Sequence, residues 1–309
     1  MDATLTILTD ADVAARADMR ALIAVIERAL RAKAAGRLVA PPRHRVEFDD
    51  RGALVFTVGG VIGDGDLAGF RAYETFQGPA DSRAQLVAVW NSATGAFKGI
   101  VVGDLLGAVR TGAIGGAAIK AMARADARVL AIIGSGLQAR TQAWAAAAAR
   151  PLAEIRVYSR SGDNRRRFAA EIAARLGAAV IDCEAAQQAV AGADIVICAT
   201  TSTSPVIDAA WLAPGAHVTT IGPKVKGQQE LGLDVAARAG LIATDSPAQT
   251  VALDFFLDGT AHAARMIDLA DIVAGRHSGR TGDDMVTLFC SAGLAGTEVL
   301  VADALLGTT

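Results

Sequence analysis

The sequence predicts an α/β protein in two parts: a doubly wound parallel sheet covered by helices, and a smaller α+β domain. Two observations predict this arrangement. From about residue 113 onward, short apolar runs alternate with helical segments, a pattern typical of parallel strands that are buried on both faces. Residues 41–102 instead form short β-like runs separated by Gly, Pro and Asp, which is typical of an antiparallel sheet. The 309 residues are enough for two such domains.

The composition narrows the class of protein. Thirty Lys and Arg against 32 Asp and Glu give a net charge of −2, so the basic face of a nucleic-acid-binding protein is not expected. A hydrophobic fraction of 52% excludes a disordered chain. The mean hydropathy of +0.35 comes largely from alanine, and charged residues or glycine interrupt each apolar stretch before about 20 residues, so no membrane span is predicted.

Targeting and cysteine patterns predict a cytoplasmic protein without a metal site. Residues 1–4 do not begin a basic stretch followed by an apolar one, as a signal peptide would. The three cysteines are far apart and fit neither a zinc motif nor a disulfide framework, so we interpret them as small buried residues. The histidines have no metal-binding spacing either. They are His44, His217, His262 and His277.

The first domain is expected to begin with a helix that continues to about Lys33 and is capped by Asp10 or Asp12. Apolar residues recur along it at helical spacing. They are Met19, Leu22, Ile23, Ile26 and Leu30. Strands are predicted at 54–58 and 86–90, and the segment 91–95 predicts a hairpin turn into a returning strand at 97–102.

The second domain is expected to alternate regularly between strand and helix. A helix at 113–122 precedes an apolar strand at 129–133 and an alanine-rich helix that stops at Pro151. Further strands are predicted at 155–158, 178–181, 195–199, 218–221 and 241–244. Further helices are predicted at 165–176, 184–190 and 234–239.

A glycine-rich turn follows the apolar strand at 129–133. The turn has the pattern G-x-G-x-x-A and consists of Gly134, Ser135, Gly136, Leu137, Gln138 and Ala139. Gly134 permits the tight turn, Gly136 leaves room for a pyrophosphate against the backbone, and the following helix begins at the anion. Because the motif lies between a strand and a helix, it predicts a Rossmann-type dinucleotide site.

The end of the next strand predicts the kind of dinucleotide. An NAD site would have Asp or Glu there to bind the ribose 2′-hydroxyl, but this chain has Ser159, Arg160 and Ser161. An arginine and hydroxyl groups suit a 2′-phosphate, so we predict NADPH with Arg160 as its main ligand. The run 165–167 is interpreted as a solvated helix start, and Asp163 is expected in the loop.

Several segments resemble the ornithine cyclodeaminase/μ-crystallin family, in order and over nearly the whole chain. The matching segments are 41–43 (PPR), 109–113 (VRTGA), the glycine turn, 193–196 (ADIV), 199–206 (ATTSTSPV), 215–217 (GAH), 221–222 (IG), 229–231 (QEL) and 287–293 (TLFCSAG). The family contains cyclodeaminases, amino-acid dehydrogenases, cyclic ketimine reductases and hormone-binding crystallins. The resemblance therefore predicts the fold better than the reaction.

The resemblance implies a homodimer and a division of labour between domains. Residues 1–112 together with 293–309 would form the substrate-binding and dimerisation domain, and 113–292 the NAD(P)-binding Rossmann domain. The first domain would supply half of the active site.

The resemblance also implies roles for individual residues. Arg110 would bind the substrate carboxylate, with Arg43 and Arg71 beside it. Thr111 would lie against the nicotinamide, Ser291 near its carboxamide, and Thr200 would contact the cofactor. Ser82 and Arg83 match a Ser-His pair of similar members and are candidates for a contact with cofactor or substrate.

Two positions depart from the family pattern. The segment 69–71 (GFR) places Arg71 where members usually have lysine, which keeps the charge but removes a Schiff-base or proton-transfer role. The segment 221–224 (IGPK) places Lys224 where cyclodeaminases and related alanine dehydrogenases have a catalytic aspartate. A lysine cannot act as that carboxylate, which argues against a true cyclodeaminase.

The reaction that remains is reduction of a cyclic ketimine carboxylate, Δ1-pyrroline-2-carboxylate or Δ1-piperideine-2-carboxylate, to the cyclic L-amino acid. It requires an anchored carboxylate, an imine carbon about 3–3.5 Å from the hydride, and a proton donor. Neighbouring arginines and burial are expected to lower the pKa of Lys224 enough for it to protonate the nitrogen, although Lys224 could instead simply pair with Glu230. The alternatives are an ornithine cyclodeaminase, an alanine-type dehydrogenase, or an NADPH-dependent binding protein.

Overall fold

The computed structural model describes residues 5–63, 65–77 and 84–307. It divides into two compact units, one formed by the residues up to Arg110 and from Leu294 onward, the other by Thr111–Gly293. The boundaries expected from the sequence, after residues 112 and 292, differ from these by two residues and one residue. Ser82 and Arg83 lie outside the described residues.

The first unit is built on a mostly antiparallel sheet. Its strands are β1 (Ile7–Leu8), β2 (Leu38–Val39), β3 (His44–Glu47), β4 (Ala53–Val61), β5 (Leu67–Glu74), β6 (Leu86–Asn91) and β7 (Phe97–Val102). The order is β1-β7-β6-β5-β4-β2, β3 also pairs with β4, and only the β1–β7 pair is parallel. The hairpin predicted at 91–95 is confirmed, because Asn91 Oδ1 accepts hydrogen bonds from the backbone N–H groups of Ala93 and Thr94.

The single helix predicted up to Lys33 is wrong, because the structure has two helices there. They are α1 (Asp10–Arg16) and α2 (Met19–Ala34). Thr9 precedes the first, with its N–H and hydroxyl donating to the Asp12 carboxylate, and Asp18 caps the second by accepting from Ala21 N at 2.9 Å. The cap at Asp18 interrupts the helical spacing of apolar residues in this segment and begins a new helix. The five apolar residues predicted to face the core are buried on α2.

Asp10 stabilises a different helix from the one that the sequence suggested. Its carboxylate accepts from the N–H groups of Asp104 and Leu105, at 3.2 and 2.9 Å. These bonds mark the start of α3 (Leu105–Met122), eight residues before the predicted start at Ala113. A cap that lies more than ninety residues away along the chain leaves no local signal in the sequence.

The two faces of the antiparallel sheet differ in what covers them. The last helix, α10 (Thr297–Leu306), packs on the face that carries Arg71, where a Cβ built on Gly69 would lie 3.0 Å from Val299. Because side chains alternate along a strand, the paired residues on the opposite face form a second set. Apart from the end pair of Leu54 and Glu74, which adds a carboxylate, this set is apolar. This set, the apolar sheet face, consists of Phe56, Val58, Gly60, Ala68, Phe70, Ala72, Leu86, Ala88, Trp90, Phe97, Ile100 and Val102.

The second unit contains an eight-stranded parallel sheet, which confirms the predicted doubly wound architecture. Its strands are β8 (Val129–Ile133), β9 (Glu154–Tyr158), β10 (Val180–Asp182), β11 (Ile195–Cys198), β12 (His217–Thr220), β15 (Leu241–Thr244), β16 (Met266–Asp268) and β17 (Thr287–Cys290). A separate hairpin pairs β13 (Lys224–Val225) with β14 (Gln228–Gln229). The helices are α4 (Leu137–Ala149), α5 (Gly162–Leu176), α6 (Ala186–Val190), α7 (Leu233–Arg238), α8 (Pro247–Val251) and α9 (Leu269–Val273).

The strand order in this sheet is β10-β9-β8-β11-β12-β17-β15-β16. The segment 287–290, which the sequence marked only as a family motif, forms β17 and is inserted between β12 and β15. A run of only four residues, Thr287–Cys290, cannot be assigned to a strand from periodicity alone, and its place in the middle of the sheet depends on long-range pairing.

The three cysteines are buried and free, as predicted. In the part of the chain that the structure describes, no helix combines the length and apolar character needed to cross a membrane. Over the same residues, His, Cys, Asp and Glu side chains form no group of three or more that could hold a metal ion.

His217 is buried in the parallel sheet as a neutral imidazole. Its Nδ1 lies 2.9 Å from Thr287 Oγ1 and its Nε2 lies 3.1 Å from Thr219 Oγ1. Burial, with the nearby charges of Arg280 and Arg150, lowers the pKa of His217 from 6.5 to about 3.

This pKa predicts that acid destabilises the protein through His217. Between about pH 6.5 and pH 3 the unfolded chain binds a proton at this residue and the native state does not, so the free energy of unfolding falls as the pH drops, by about 1.4 kcal/mol per pH unit. Urea denaturation of the wild type and of His217→Gln at several pH values measures the difference in slope. His44→Gln, at an exposed position, is the matched control, and equal slopes for wild type and His217→Gln would contradict the prediction.

Candidate active site

A cavity of about 650 Å³ opens at the carboxyl ends of β8, β9 and β11. In the sheet β8 lies between β9 and β11, so the chain passes to opposite sides of β8 at this point. Ligands of open α/β sheets bind at such switch points, outside the carboxyl ends of the strands. The cavity is lined by Ile133, Gly134, Ser135, Gly136, Tyr158, Ser159, Arg160, Ser161, Asn164, Ala199, Thr200, Thr201, Ser202 and Val206.

The two glycines of the turn fit a bound pyrophosphate. Gly134 has φ +117°, and a Cβ there would overlap the carbonyl oxygen of Ala199. Gly136 is the N-cap of α4 and has no side chain to cap the helix, and a Cβ built on it would meet nothing within 4 Å. The first N–H groups of α4 are therefore left for an anion, and space for it is available. Leu137 and Gln138 begin α4 directly after this turn.

The end of β9 brings Arg160 to the cavity without a competing partner. Arg165 is held by Asp182 and by the carbonyl oxygen of Ser159, and Arg166 donates to Asp163 at 2.5 Å. Arg160 is exposed, and it makes no hydrogen bond or ion pair with the residues that the structure describes.

Asp163 does not lie in a loop as predicted, but in the first turn of α5. Ser161 Oγ caps that helix by accepting from Asn164 N at 3.3 Å, which draws the following residues into helical conformation. Asn164 also lines the cavity, a position that the sequence analysis missed.

A buried carboxylate, Glu230, joins the ends of β11 and β12. Its Oε2 accepts from the N–H and hydroxyl of Thr200 at 2.9 and 2.8 Å. Its Oε1 accepts from the hydroxyl of Thr220 at 2.8 Å, from Ile221 N at 3.0 Å and from Gly222 N at 2.5 Å. Five donors thus satisfy a carboxylate that has no exposed surface, and they position Thr200 against the cavity.

Lys224 lies in the hairpin that follows β12. Its Nζ donates to the carbonyl oxygens of Ile221 and Gly222, at 2.8 and 2.5 Å. These two hydrogen bonds fix the position of the Lys224 ammonium group. Its charge is also close enough to Cys290, at the end of β17, to oppose the effect of burial, which raises the pKa of that thiol to about 12.

The other predicted cofactor residues of this unit lie at different places. Ser291 follows β17 and donates its N–H to the carbonyl oxygen of Thr220 at 3.2 Å, so it is at the same edge of the sheet as Lys224. Thr111 lies in α3, where its carbonyl oxygen accepts from Gln142 Nε2 at 3.0 Å.

The first unit contains a buried ionic cluster that the sequence analysis only partly predicted. Arg110 is 2% exposed, and its Nη2 lies 2.5 Å from Glu298 Oε1. The same oxygen lies 3.5 Å from Arg71 Nη1. Burial, followed by the charge of Arg110, lowers the pKa of Arg71 to about 10, and the half-buried Arg43 contributes in the same direction. The three predicted arginines are thus close in space.

Glu298 is the member of this cluster that sequence reasoning missed. It is an acidic residue in the first turn of an otherwise largely apolar helix, and this was the available signal. The cluster also has buried polar atoms without a hydrogen-bond partner among the described residues. They are Arg71 Nε, Arg110 Nε, Gln85 Oε1 and Glu298 Oε2. Orphaned buried atoms of this kind indicate a site for a polar ligand.

The family model for the ornithine cyclodeaminase/mu-crystallin family matches residues 4–306. The chain belongs to this family. It is 32% identical over 215 residues to the Δ1-pyrroline-2-carboxylate reductase of Bacillus cereus, an alignment that covers 66% of this chain and 64% of the relative.

Solved structures of the family resemble the protein over almost its whole length. The Thermococcus litoralis Δ1-pyrroline-2-carboxylate reductase in complex with NADH and L-proline has a TM-score of 0.88 and 27% identity, over 98% of this chain and 96% of that one. An archaeal alanine dehydrogenase dimer with bound NAD has a TM-score of 0.86 and 26% identity, over 98% and 95%. These relatives confirm that the protein is an oxidoreductase with a fold that binds nicotinamide dinucleotides.

Proposed function

We propose that the protein uses NADPH to reduce a cyclic ketimine carboxylate, Δ1-pyrroline-2-carboxylate or Δ1-piperideine-2-carboxylate, to the cyclic L-amino acid. The observation that carries the proposal is the buried pair Arg71 and Arg110, whose charge Glu298 balances only in part. Such a pair suits a substrate carboxylate, and the chain also has a dinucleotide-type cavity. The reductases of Bacillus cereus and Thermococcus litoralis support the choice of substrate.

The second unit would hold the cofactor in the cavity at β8, β9 and β11. The N–H groups at the start of α4 would bind the pyrophosphate, next to Ser135 and Gly136. Arg160 would bind the 2′-phosphate together with Ser159 and Ser161, because it lines the cavity and no acid of the described residues engages it. Thr111, Thr200 and Ser291 are proposed as further contacts. The cofactor, when bound, supplies the hydride.

The protein's own residues would orient the imine and supply its proton. Arg110, Arg71 and Arg43 would hold the carboxylate, which fixes the position of the neighbouring imine carbon. Lys224 would donate a proton to the ring nitrogen as the hydride reaches that carbon, so that an N–H and a C–H bond form and the C=N double bond becomes single. Its two carbonyl contacts, to Ile221 and Gly222, keep the ammonium in place for this step.

Lys224 also weighs against cyclodeamination. In that reaction an amine attacks an iminium and ammonia is expelled, and a carboxylate is the group suited to pair with the ammonium and move its proton. An ammonium group at this position repels a cationic substrate. Cyclodeaminases are nevertheless among the relatives, so ornithine is the necessary control substrate.

The proposal predicts NADPH oxidation, followed at 340 nm, with the five- or the six-membered imine. Arg160→Ser is expected to lower kcat/KM for NADPH by about 10- to 100-fold, because a charge-assisted hydrogen bond is lost, while kcat/KM for NADH changes little. Arg166→Ser, which removes an arginine already paired with Asp163, is the matched control.

Three outcomes would contradict this prediction. Equal use of NADH and NADPH by the wild type removes the role given to Arg160. Turnover of ornithine or alanine, with no reduction of either imine, indicates the cyclodeaminase or dehydrogenase activity instead, and cofactor binding without any turnover indicates a binding protein.

The role of Lys224 predicts a changed pH dependence. In Lys224→Met the proton donor is missing, so kcat is expected to fall by about 100-fold or more and to lose the limb of its pH profile that reports the donor. Lys226→Met, two residues further on in an exposed ion pair with Asp254, controls for loss of charge in the same hairpin. If Lys224→Met keeps both the rate and the pH profile, Lys224 has a structural role.

We also propose that the protein is a homodimer that buries the apolar sheet face. Val58 is 51% exposed and Phe97 42% exposed, in register with Phe70 and Trp90, whose rings stack 5.9 Å apart. A contiguous apolar face of this kind marks an interface.

Light scattering is expected to give about twice the chain mass of 31.6 kDa, and Val58→Glu with Phe97→Glu to give a monomer. Val251→Glu, at a 79% exposed position, should leave the mass unchanged.

A further inference from the structure

The buried cluster of the first unit contains more positive than negative charge. Arg71 and Arg110 have side chains only 12% and 2% exposed, and Glu298 is 1% exposed. One carboxylate oxygen, Glu298 Oε1, accepts from both guanidinium groups, at 3.5 and 2.5 Å. Two positive charges and one negative charge leave the cluster with a single uncompensated positive charge. Water cannot screen that charge as it screens the charge of an exposed arginine.

Glu298 is held in this position by the backbone around it. The N-cap of α10 is Gly296, with φ +81°, and it lies so close to β4 that a Cβ on Gly59 would come within 2.7 Å of Gly296 Cα. Only glycines allow this approach, and it sets the first turn of α10 against the sheet that carries Arg71. The start of a helix also favours a carboxylate. The single negative charge is therefore a built feature of the cluster.

Two of the four unpartnered atoms of the cluster are donors, and these match one further carboxylate. Arg71 Nε and Arg110 Nε are buried donors without a partner among the described residues. One carboxylate group of a ligand would satisfy donors of this kind and bring the charge of the cluster to zero. A second carboxylate on the ligand would give the cluster an excess of negative charge in a buried place, which is unfavourable.

We propose that Glu298 is a specificity-determining residue. Its negative charge already compensates one of the two arginines, so the site binds substrates with one carboxylate and excludes substrates with two. The inference rests on the proposed function, because it assumes that the substrate carboxylate binds at Arg71 and Arg110. It adds that the acid next to those arginines, rather than the arginines themselves, excludes dicarboxylates. Arg43 belongs to the same region but is half-buried, so its charge is better screened.

The test compares two probes that differ by one carboxylate, L-proline and cis-pyrrolidine-2,5-dicarboxylate. Their dissociation constants are measured by calorimetry on the full chain saturated with NADP⁺. The wild type is expected to prefer L-proline. Glu298→Gln, which keeps the shape and removes the charge, is expected to change the ratio of the two constants by about tenfold or more in favour of the dicarboxylate. Glu298→Asp keeps the charge and should keep the wild-type ratio.

A double variant that restores the net charge of the cluster tests the same idea. In Arg71→Gln with Glu298→Gln one positive and one negative charge are lost, so the remaining charge again equals one, and the preference for L-proline over the dicarboxylate is expected to return even if both bind more weakly. Glu47→Gln, at an exposed carboxylate of the same unit, is the control for a general change in charge. Circular dichroism checks that each variant is folded. If Glu298→Gln alone does not fold, the test compares Arg71→Gln with the double variant, which differ only at Glu298, and equal ratios of the two constants in that pair overturn the inference.

The outcomes separate the inference from the function on which it rests. An unchanged ratio in folded Glu298→Gln, or a dicarboxylate preference in the double variant, overturns the inference while imine reduction by the wild type still supports the function. If the preference between the two probes changes with the charge of the cluster as expected, but the wild type reduces neither imine, the inference is supported and the proposed function is overturned. A wild type that binds neither probe overturns both.

Discussion

A carboxylate without access to water organises the edge of the parallel sheet where the chemistry is expected. Glu230 must be satisfied by protein donors, and it gathers them from Thr200 after β11 and from Thr220, Ile221 and Gly222 after β12. Thr200 is thereby held in the wall of the dinucleotide cavity. The carbonyl groups of Ile221 and Gly222 are in turn the acceptors for Lys224. Cofactor wall and candidate proton donor thus depend on one buried ion.

The same physical rule acts in the first unit with the opposite sign. There the buried ions are mainly cations, and Glu298 compensates one of the two arginine charges. In both units a buried carboxylate sets the positions of the groups around it. Neutral donors fully satisfy Glu230, whereas Glu298 leaves one arginine charge uncompensated and arginine donors without a partner among the described residues. A fully satisfied network stabilises a structure, and an incompletely satisfied one is suited to bind a ligand. The difference explains why we assign a structural role to Glu230 and a selective role to Glu298.

Much of the candidate site could be predicted from local sequence. The glycine turn follows a buried strand, and the required backbone conformation of Gly134 restricts that position to glycine. The presence of Arg160 where an NAD site would have an acid is the basis for the predicted preference for NADPH. The grouping of Arg43, Arg71 and Arg110 could not be derived in this way, since it came from the resemblance to a family. Glu298 was missed because its partners, Arg71 and Arg110, lie far from α10 in the chain, so its own segment contains no sign of them.

The sequence by itself determined the alternation of strands and helices, the dinucleotide turn and the apolar faces, because these depend on periodicities and on backbone geometry within a few residues. The tertiary structure alone decided which polar groups meet. Asp10 caps a helix that begins at Leu105, Glu298 joins Arg71 and Arg110, and β17 enters the sheet between β12 and β15. Each of these contacts joins residues that are far apart in the chain, and a buried group has to find its partner wherever the fold brings one within reach.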